Sequence, residues 1–539
     1  MAPHAESAST PTEEHAPAVQ EAFTGFSANG LDATPFAAQA ANRSHLRYTP
    51  EEELHDLICI GFGPASLAIA VALHDAIEGS DANLNLPNVQ AHRPRVAFLE
   101  KQAQFRWHAG MLLPGARMQI TFMKDMATMR NPRSEFTFIN YLHQKDRLIE
   151  FANLGTFLPQ RIEYEDYMKW CASWFEEVVA YEQEVVKVIP EKSASGNGKI
   201  NTFTVVSKNL QTGQMETRRT KHVVVAAGGR PNLPPPFPVD HPKVIHSSKF
   251  SYISTKILQD FQRPYNVAVV GNGQSAAEIF DFLHAHYPNA RTRLLIKGGA
   301  LRPSDDSPFV NEIFNPDRVD PTFNRDATLR AAALKEDKGT NYGVVRLNLL
   351  ERIYETLYIQ RVRHGNSREA EEQWPHRIMP YRLVTDVQDS PVIKDGIRLR
   401  VRDSSPLYLP DGPNAQEKEE VLDVDAVFVA TGYQRDLHET LLKDSRHLMP
   451  GGNQDGARWQ VGRDYRMRFA DQQVGDDAGV WLQGCCESTH GLSDTLLSIL
   501  ATRGGEMVQN IFGGKSSSKG QWNGNGLGFG EVQEGVRNY

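Results

Sequence analysis

Two glycine-rich segments, each following an apolar run and preceding a helix-forming run, constrain this 539-residue chain most strongly. They read GFGPAS at 61–66 and GNGQSA at 271–276. In such a segment the first glycine permits a tight turn, and the second lets a pyrophosphate approach the backbone at a helix N-terminus. Ser66 and Ala276 replace the third glycine and are small enough for close helix packing. Two such turns predict an α/β fold with two dinucleotide sites, one for FAD and one for NAD(P)H; the alternative is two tight turns that bind no nucleotide.

Composition excludes several other classes of protein. The net charge is −8 and no basic block occurs, so a nucleic-acid partner is not expected. No apolar run reaches the about 18 residues that span a membrane, so no membrane partner is expected either. Residues 1–50 and 514–539 are rich in small and polar residues, and both segments are predicted to be disordered, as an extension and a tail.

The cysteines favour a reducing compartment, and we expect a cytoplasmic protein. None of the four forms a CxxC pair, and metal-ligand spacing is absent, so no metal is predicted. Two of them, Cys485 and Cys486, are adjacent, which leaves a disulfide reductase as a remote alternative. Such enzymes usually need two thiols spaced to reach a flavin.

The order of segments predicts one dinucleotide domain inserted into another. A buried-strand pattern that ends in glycine occurs at 223–229 and returns at 427–433, about 200 residues later, which is also the spacing of the two glycine turns. The first predicted Rossmann-like domain therefore comprises 51–245 and 435–513, and the second, inserted into it, comprises 246–434. A polar, partly helical insertion, at about 302–375, interrupts the second domain. We also predict an irregular segment lining a site at 105–134 and helices at 163–181 and 494–512.

The second predicted strand of each dinucleotide domain ends in a charged residue, and the two charges are opposite. Glu100 ends the first, where an acidic residue commonly accepts hydrogen bonds from a ribose; the alternative is an exposed glutamate at a strand end. Lys297 ends the second, where an NAD site would carry an acid, and it favours NADPH.

Several long strings resemble one known family, the flavin-dependent N-hydroxylating monooxygenases of hydroxamate siderophore biosynthesis. They include HDL at 55–57, GFGPASL at 61–67, RPSDDSPFVNE at 302–312, ATGY at 430–433 and THGLSD at 489–494. The resemblance runs from Glu53 to Gly513. It implies NADPH- and O₂-dependent N-hydroxylation of the L-ornithine side-chain amine through a flavin C(4a)-hydroperoxide, the first step of siderophore biosynthesis. Hydroxylation of L-lysine, or a catalytically weak flavin-binding regulatory protein, stays open as an alternative. Members of the family are commonly homo-tetramers, so a homo-oligomer is expected.

The resemblance also implies that the first domain binds FAD, that the second binds NADPH and carries the substrate-binding insertion, and that particular residues bind each ligand. For FAD these are Gly61, Gly63, Pro64, Glu100, Lys101, Gln102, Trp107, His108, Met118, Gln119, Val185, His490, Gly491 and Leu492. For NADPH they are Asn272, Gly273, Gln274, Ser275, Lys297, Asn341, Tyr342 and Gly343. For L-ornithine they are Lys124, Asn311, Glu312, Ile313, Phe314 and Ser493. Lys297 stands where the family pattern has arginine, so the charge is kept but the bidentate fork is lost.

Read without the family, three of these residues have plainer interpretations. Lys124 would be a solvated lysine, although it offers a cation to a carboxylate. Asn311 would cap a turn near Pro308, although its amide both donates and accepts hydrogen bonds. Ser493 would be the N-cap of the helix predicted at 494–512. His246, which resembles histidines of related monooxygenases, is interpreted as structural.

Overall fold

The computed structural model describes residues 44–84, 86–192, 198–405, 418–452, 454 and 456–513. The predicted disordered tail, and all but the last residues of the predicted extension, lie outside this range. The described chain is a mixed α/β structure built around two separate sheets, each with parallel strands at its centre. The fold class expected from the glycine turns is thereby confirmed.

The first sheet has seven strands and carries the first glycine turn. Its path is β3-β2-β1-β6-β5-β4, and β17, from the far end of the chain, pairs with β6. Strand β1 is parallel to β2 and β6, and β17 is parallel to β6, whereas β5 is antiparallel to β4 and β6. The bounds are Leu54–Ile60 (β1), Val96–Leu99 (β2), Val179–Ala180 (β3), Gln183–Lys192 (β4), Ile200–Asn209 (β5), Met215–Val225 (β6) and Gly479–Leu482 (β17).

The second sheet has five parallel strands in the order β11-β10-β9-β15-β8 and carries the second glycine turn. Their bounds are Val244–His246 (β8), Asn266–Val270 (β9), Arg291–Leu295 (β10), His376–Met379 (β11) and Ala426–Val429 (β15). A three-stranded antiparallel sheet packs beside it, formed by Arg382–Asp389 (β12), Ile397–Asp403 (β13) and Lys418–Val424 (β14). The domain boundary predicted at 245/246 falls inside β8, so the division into domains stays a prediction.

The chain crosses between the two sheets twice, and the crossings lie side by side. Arg230–Pro231 (β7) pairs antiparallel with Tyr433–Gln434 (β16). Asn232 strengthens this ribbon, because its backbone N–H donates to the Gly432 carbonyl at 3.0 Å and its amide donates to the Thr431 carbonyl at 3.2 Å. The two glycine-ended strands of the sequence therefore mark the two crossings.

Fifteen labelled α-helices surround the sheets in the described part of the chain. Those that precede the second glycine turn are Pro64–Glu78 (α1), Pro87–Ala91 (α2), Phe138–Gln144 (α3), Leu148–Asn153 (α4), Arg161–Ser173 (α5) and Phe250–Ile257 (α6). Those that follow it are Gln274–His286 (α7), Pro308–Asn311 (α8), Val319–Asn324 (α9), Ala327–Asn341 (α10), Leu347–His364 (α11), Arg368–Gln373 (α12), Leu437–Leu441 (α13), Glu487–His490 (α14) and Leu500–Phe512 (α15). Within these bounds, no helix of the described chain is both long enough and apolar enough to cross a membrane.

Two predicted helices begin or end elsewhere. The helix predicted at 163–181 ends at Ser173, because the chain then turns through a short 3₁₀ helix, Glu176–Val178, into β3. The helix predicted at 494–512 begins only at Leu500. Two 3₁₀ turns precede it, and Asp494 lies in the first of them. The buried carboxylate of Asp494 accepts the Cys486 N–H at 2.7 Å and pairs with the Arg503 guanidinium at 2.9 Å. These tertiary contacts override the helical pattern of the local sequence.

Candidate active site

The two glycine turns have the same local geometry. Gly61 and Gly271 have φ values of 90° and 136°, a region that favours glycine. A Cβ at Gly61 would lie 2.8 Å from the carbonyl oxygen of Ala226, and a Cβ at Gly271 would collide with that of Ala430. Each first glycine is therefore required where the turn presses against the neighbouring parallel strand.

The second glycine of each turn leaves space in front of a helix. Gly63 and Gly273 are the N-caps of α1 and α7, both are extended, and neither offers a side-chain hydrogen bond to its helix. Nothing lies within 4 Å of a Cβ placed on Gly63. Because the first N–H groups of a helix have no partner within it, these N-termini present donors, beside open space at Gly63 and beside the backbone of Gly343 at Gly273. Both turns fit the phosphates of a dinucleotide.

Glu100 lies buried beside the first turn, as expected of a ribose acceptor. Its carboxylate accepts the N–H of Phe62 and the N–H of Gln102, each at 2.7 Å. An ionised carboxylate has about four lone-pair sites, so two backbone donors leave acceptor capacity for hydroxyl groups. Lys101 forms an ion pair with Glu184 at the surface.

A cavity of about 380 Å³ brings together residues expected for all three ligands. It lies between the segment 107–124, the N-terminus of α7, the insertion and residues 495–498. From the predicted flavin set it collects Trp107, His108, Met118 and Gln119; from the nicotinamide set it collects Gln274, Ser275, Asn341, Tyr342 and Gly343; and from the substrate set it collects Lys124, Asn311 and Phe314. The irregular segment predicted to line a site therefore does so.

The other predicted residues do not line this cavity. Besides the first turn and Glu100, they are Lys101, Gln102, Val185, His490, Gly491, Leu492, Asn272, Gly273, Lys297, Glu312, Ile313 and Ser493. A dinucleotide is much longer than the cavity, so residues for its far end are expected elsewhere. Lys297 is exposed just beyond β10, and Asn272 donates its amide to the Gly343 carbonyl at 3.4 Å.

Lys124 is held in place by its backbone and leaves its ammonium available. The next residue, Asp125, anchors the backbone at this point. Its buried carboxylate accepts the N–H groups of Ala127, Thr128 and Phe138 at 2.6–2.9 Å. Among the described residues, no hydrogen bond or ion pair engages the Lys124 ammonium. Its side chain is half-buried, and this burial lowers the pKa of the ammonium below its ordinary value. An unpaired cation facing a cavity suits an anionic ligand.

Asn311 and Ser493 differ from each other in what they can reach. The Asn311 amide donates to the Asp306 carbonyl at 3.0 Å, so it closes the turn before Pro308 and also faces the cavity. Ser493 is buried inside a 3₁₀ turn whose N-cap is Gly491. The interpretation of Ser493 as a helix N-cap is therefore wrong.

The turn His490–Leu492 is buried under an aromatic ring. The imidazole of His490 stacks on Tyr465 with ring centroids 4.0 Å apart, and its Nε2 lies 3.1 Å from the Arg463 carbonyl. Burial lowers the pKa of His490 to about 3, so this histidine is neutral near pH 7 and donates from Nε2 to that carbonyl. Gly491 follows with a φ of 95°, which lets the chain reverse there.

Sequence reasoning missed several residues that line the cavity. Arg161, Asp305, Asp306 and Tyr433 line it together with the segment 495–498. Asp305, Asp306 and Tyr433 lie inside strings that were already singled out, so they could have been found. Arg161 is the first residue of α5, and no motif in the sequence marks it as a site residue. Only the folded chain brings it to the cavity.

One group of potential metal ligands was also not anticipated. Ligand atoms of His45, His74 and Glu78 all lie within 4.8 Å of one another. However, Nδ1 of His74 is approached at 3.3 Å by the N–H of His45, which places the ring proton on Nε2, facing Glu78 at 3.9 Å. The hydrogen bond at Nδ1 occupies one possible ligand atom of His74, so we assign no metal to this group.

Two sheets with parallel strands at their centres, each with a glycine turn at a helix N-terminus, define an α/β protein built for two dinucleotides. The chain belongs to the L-lysine 6-monooxygenase/L-ornithine 5-monooxygenase family, whose model matches residues 53–435. The family resemblance inferred from the motifs is confirmed.

Curated relatives and solved structures agree with this assignment. The chain is 70% identical to an L-ornithine N(5)-monooxygenase of Cochliobolus heterostrophus, over 99% of this chain and 100% of that one. It is 53% identical to the L-ornithine N(5)-monooxygenase of Emericella nidulans, over 89% and 93% of the two chains. An ornithine hydroxylase structure from Pseudomonas aeruginosa matches with a TM-score of 0.73 and 34% identity, over 86% and 99% of the chains. An ornithine N-hydroxylase of a Kutzneria species, solved with reduced FAD, NADP⁺ and L-ornithine, matches with a TM-score of 0.72 and 33% identity, over 85% and 99%.

Proposed function

We infer that this chain is an FAD-dependent monooxygenase that uses NADPH and O₂ to hydroxylate the side-chain amine of L-ornithine. The observation that carries this inference is the 70% identity over the full length to an L-ornithine N(5)-monooxygenase. The cavity supports it, because it unites residues of the second glycine turn and of the predicted flavin-binding segment 107–119 with an unpaired lysine. The product is an N-hydroxylated ornithine, which makes this the first step of hydroxamate siderophore biosynthesis.

FAD binds at the first glycine turn. The N-terminus of α1 in front of Gly63 would hold its pyrophosphate, and the carboxylate of Glu100 would accept a hydrogen bond from its ribose. The segment from Trp107 to Gln119 then lines the cavity beside the reactive ring. When bound, the flavin supplies the redox chemistry that passes electrons from NADPH to O₂ and one oxygen atom to the amine.

NADPH binds at the second turn. Gln274 and Ser275 open α7 beside the cavity, and Asn341 to Gly343 line it too, with Gly343 against the glycine turn. Lys297 contacts the 2′-phosphate as a point charge without the bidentate geometry of an arginine. The predicted nicotinamide and flavin residues line the same cavity, so they would hold the two reacting groups near each other.

L-ornithine binds by its α-carbon end, with Lys124 pairing with its carboxylate. Asn311 adds an amide from the insertion, and Phe314 provides a buried apolar surface next to it. The reacting amine has a pKa of about 10.4 when free, so it must lose a proton before it attacks oxygen. The chain's task is to orient that amine and to exclude water around it.

We propose that the protein works as a homo-oligomer, specifically a tetramer, in the cytoplasm. One surface supports self-association: Leu347, Tyr354, Tyr358 and Val362 of α11 are all more than half exposed and recur on one helix face. Two of them, Tyr354 and Tyr358, line a groove of about 860 Å³. The four cysteines, all free, support a reducing compartment. Light scattering of the purified protein tests the oligomer, and a monomer would contradict it.

A direct assay tests the enzymatic function. The purified protein should carry flavin and should form N5-hydroxyornithine from L-ornithine, NADPH and O₂, detected by mass spectrometry. A flavin-bound protein that forms no hydroxylated product from ornithine or lysine would favour the regulatory alternative. If the protein hydroxylates lysine and not ornithine, its substrate is L-lysine, the alternative named above.

A further inference from the structure

A continuous series of polar side chains links three parts of the molecule beside the cavity. Arg161, at the start of α5, donates to the carboxylate of Glu278 in α7. The distance between Nη1 of Arg161 and Oε2 of Glu278 is 2.8 Å. The other carboxylate oxygen of Glu278 accepts from the amide of Gln274, also at 2.8 Å. The carbonyl oxygen of Gln274 in turn accepts the backbone N–H of Arg346, just before α11, at 2.9 Å. Both oxygens of Glu278 and both ends of the Gln274 amide are thus engaged.

Glu278, at the centre of the series, is buried behind the cavity wall. The Glu278 side chain is 8% exposed and that of Arg161 is 14% exposed. Arg161 and Gln274 line the cavity, whereas Glu278 lies one helical turn behind Gln274 and does not. In such a water-poor setting a charged hydrogen bond holds its partners more firmly than at the surface.

The same groups reach the flavin side of the cavity. Nη1 of Arg161 lies 3.4 Å from the Met111 carbonyl oxygen, and the Arg346 guanidinium lies 3.5 Å from the Met118 carbonyl oxygen. The segment that carries Met111 and Met118 is therefore tied to the first turn of α7. Glu278 is the one member that contacts both Arg161 and Gln274.

We propose that Glu278 is a positioning residue for the nicotinamide nucleotide. By holding Gln274 and Arg161 together, it fixes the glycine turn 271–275 and the N-terminus of α7 against the flavin side of the cavity. It acts through Gln274 and touches neither dinucleotide. The nucleotide's identity rests on the proposed function, but the effect of Glu278 on the turn does not.

The first measurement is hydrogen exchange of the backbone amides around 271–277 in the full-length protein without added nucleotide. Glu278→Gln keeps the size of the side chain and an acceptor for Gln274 but removes the charge that Arg161 needs. Exchange of these amides should become faster by about tenfold, the effect of losing one charged hydrogen bond. Arg161→Gln should do the same, and Arg161→Lys, which keeps the cation, should do so less.

The second measurement is binding of NADP⁺ to the flavin-loaded protein by calorimetry. The dissociation constant should rise about tenfold in Glu278→Gln, while the flavin content stays unchanged. The double variant Glu278→Gln/Arg161→Gln should be no worse than the worse single variant, because both remove the same interaction.

Asp281→Asn is the matched control. Asp281 lies on the same helix, three residues further on, and pairs with Arg352 of α11 at 2.7 Å, yet it does not line this cavity. The proposal is overturned if Glu278→Gln changes neither exchange nor NADP⁺ binding, if Asp281→Asn has the same effects, or if the two single effects add in the double variant. If the unmodified protein binds no NADP⁺, the proposed function fails, while the exchange data still judge the role of Glu278.

Discussion

Replacing Lys124 should separate substrate binding from the rest of the catalytic cycle. The Lys124 ammonium faces the cavity, and nothing in the described part of the chain pairs with it. A hydrogen bond to a charged group contributes about 1.5–3 kcal/mol, which corresponds to about a 10- to 150-fold change in binding. Because the side chain is only half-buried, solvent screens the interaction, and we expect the lower part of that range, about 10- to 50-fold.

The assay compares two steps in Lys124→Met. The KM for L-ornithine, measured by hydroxylated product, should rise by that factor. The rate of flavin reduction by NADPH without oxygen should stay nearly unchanged, because Lys124 lies outside the nicotinamide turn. Burial already lowers the pKa of this ammonium, so its charged form is disfavoured in the fold, and the substitution should not lower the melting temperature.

Lys256→Met serves as the control, because Lys256 is an exposed lysine that does not line the cavity. It should leave the ornithine KM unchanged. An unchanged KM in Lys124→Met, or an equal loss in flavin reduction, would refute the assignment of Lys124 to the substrate carboxylate.

Four further outcomes are expected. Gly63→Val should fold, because its side chain enters open space, but should purify without flavin colour, since it fills the place of the pyrophosphate; full flavin absorbance would contradict this. Lys297→Ala should raise the KM for NADPH about tenfold and leave that for NADH unchanged in steady-state assays. Arg130→Met should lower the free energy of unfolding by about 3–5 kcal/mol in urea titrations, because it leaves two buried aspartates without their cation. Burial lowers the pKa of His376 to about 3, so its contribution to stability is complete above pH 6.5 and is lost as the pH falls towards 3; His376→Asn should flatten that loss in melting curves.

The elements that sequence patterns predicted well are those whose signal is local. The strands before each glycine turn and the helices after them were anticipated because apolar runs, glycines and helix formers follow one another there. Gly61 and Gly271 show why the pattern is so regular. Each must fit against a neighbouring strand with a backbone conformation that other residues rarely adopt.

The parts that were missed depend on contacts between distant residues. The helix predicted at 494–512 begins six residues late because Asp494 is drawn into a buried pair with Arg503. Arg161 reaches the cavity only because Glu278, which is 117 positions away in the chain, holds it there. Ser493 lies in the motif THGLSD, yet it is buried and does not line the cavity.

The yield of hydroxylated product per NADPH consumed, measured side by side with L-ornithine and L-lysine, tests the central claim most directly. If Lys124 and Asn311 fix the α-carbon end, the extra methylene of lysine misplaces its amine, a difference worth about 1–3 kcal/mol in a fitted pocket. Ornithine should then give close to one N5-hydroxyornithine per NADPH, whereas lysine should consume NADPH with little hydroxylated product. No product from ornithine, or equal yields from both amino acids, would contradict the assignment of this site to L-ornithine.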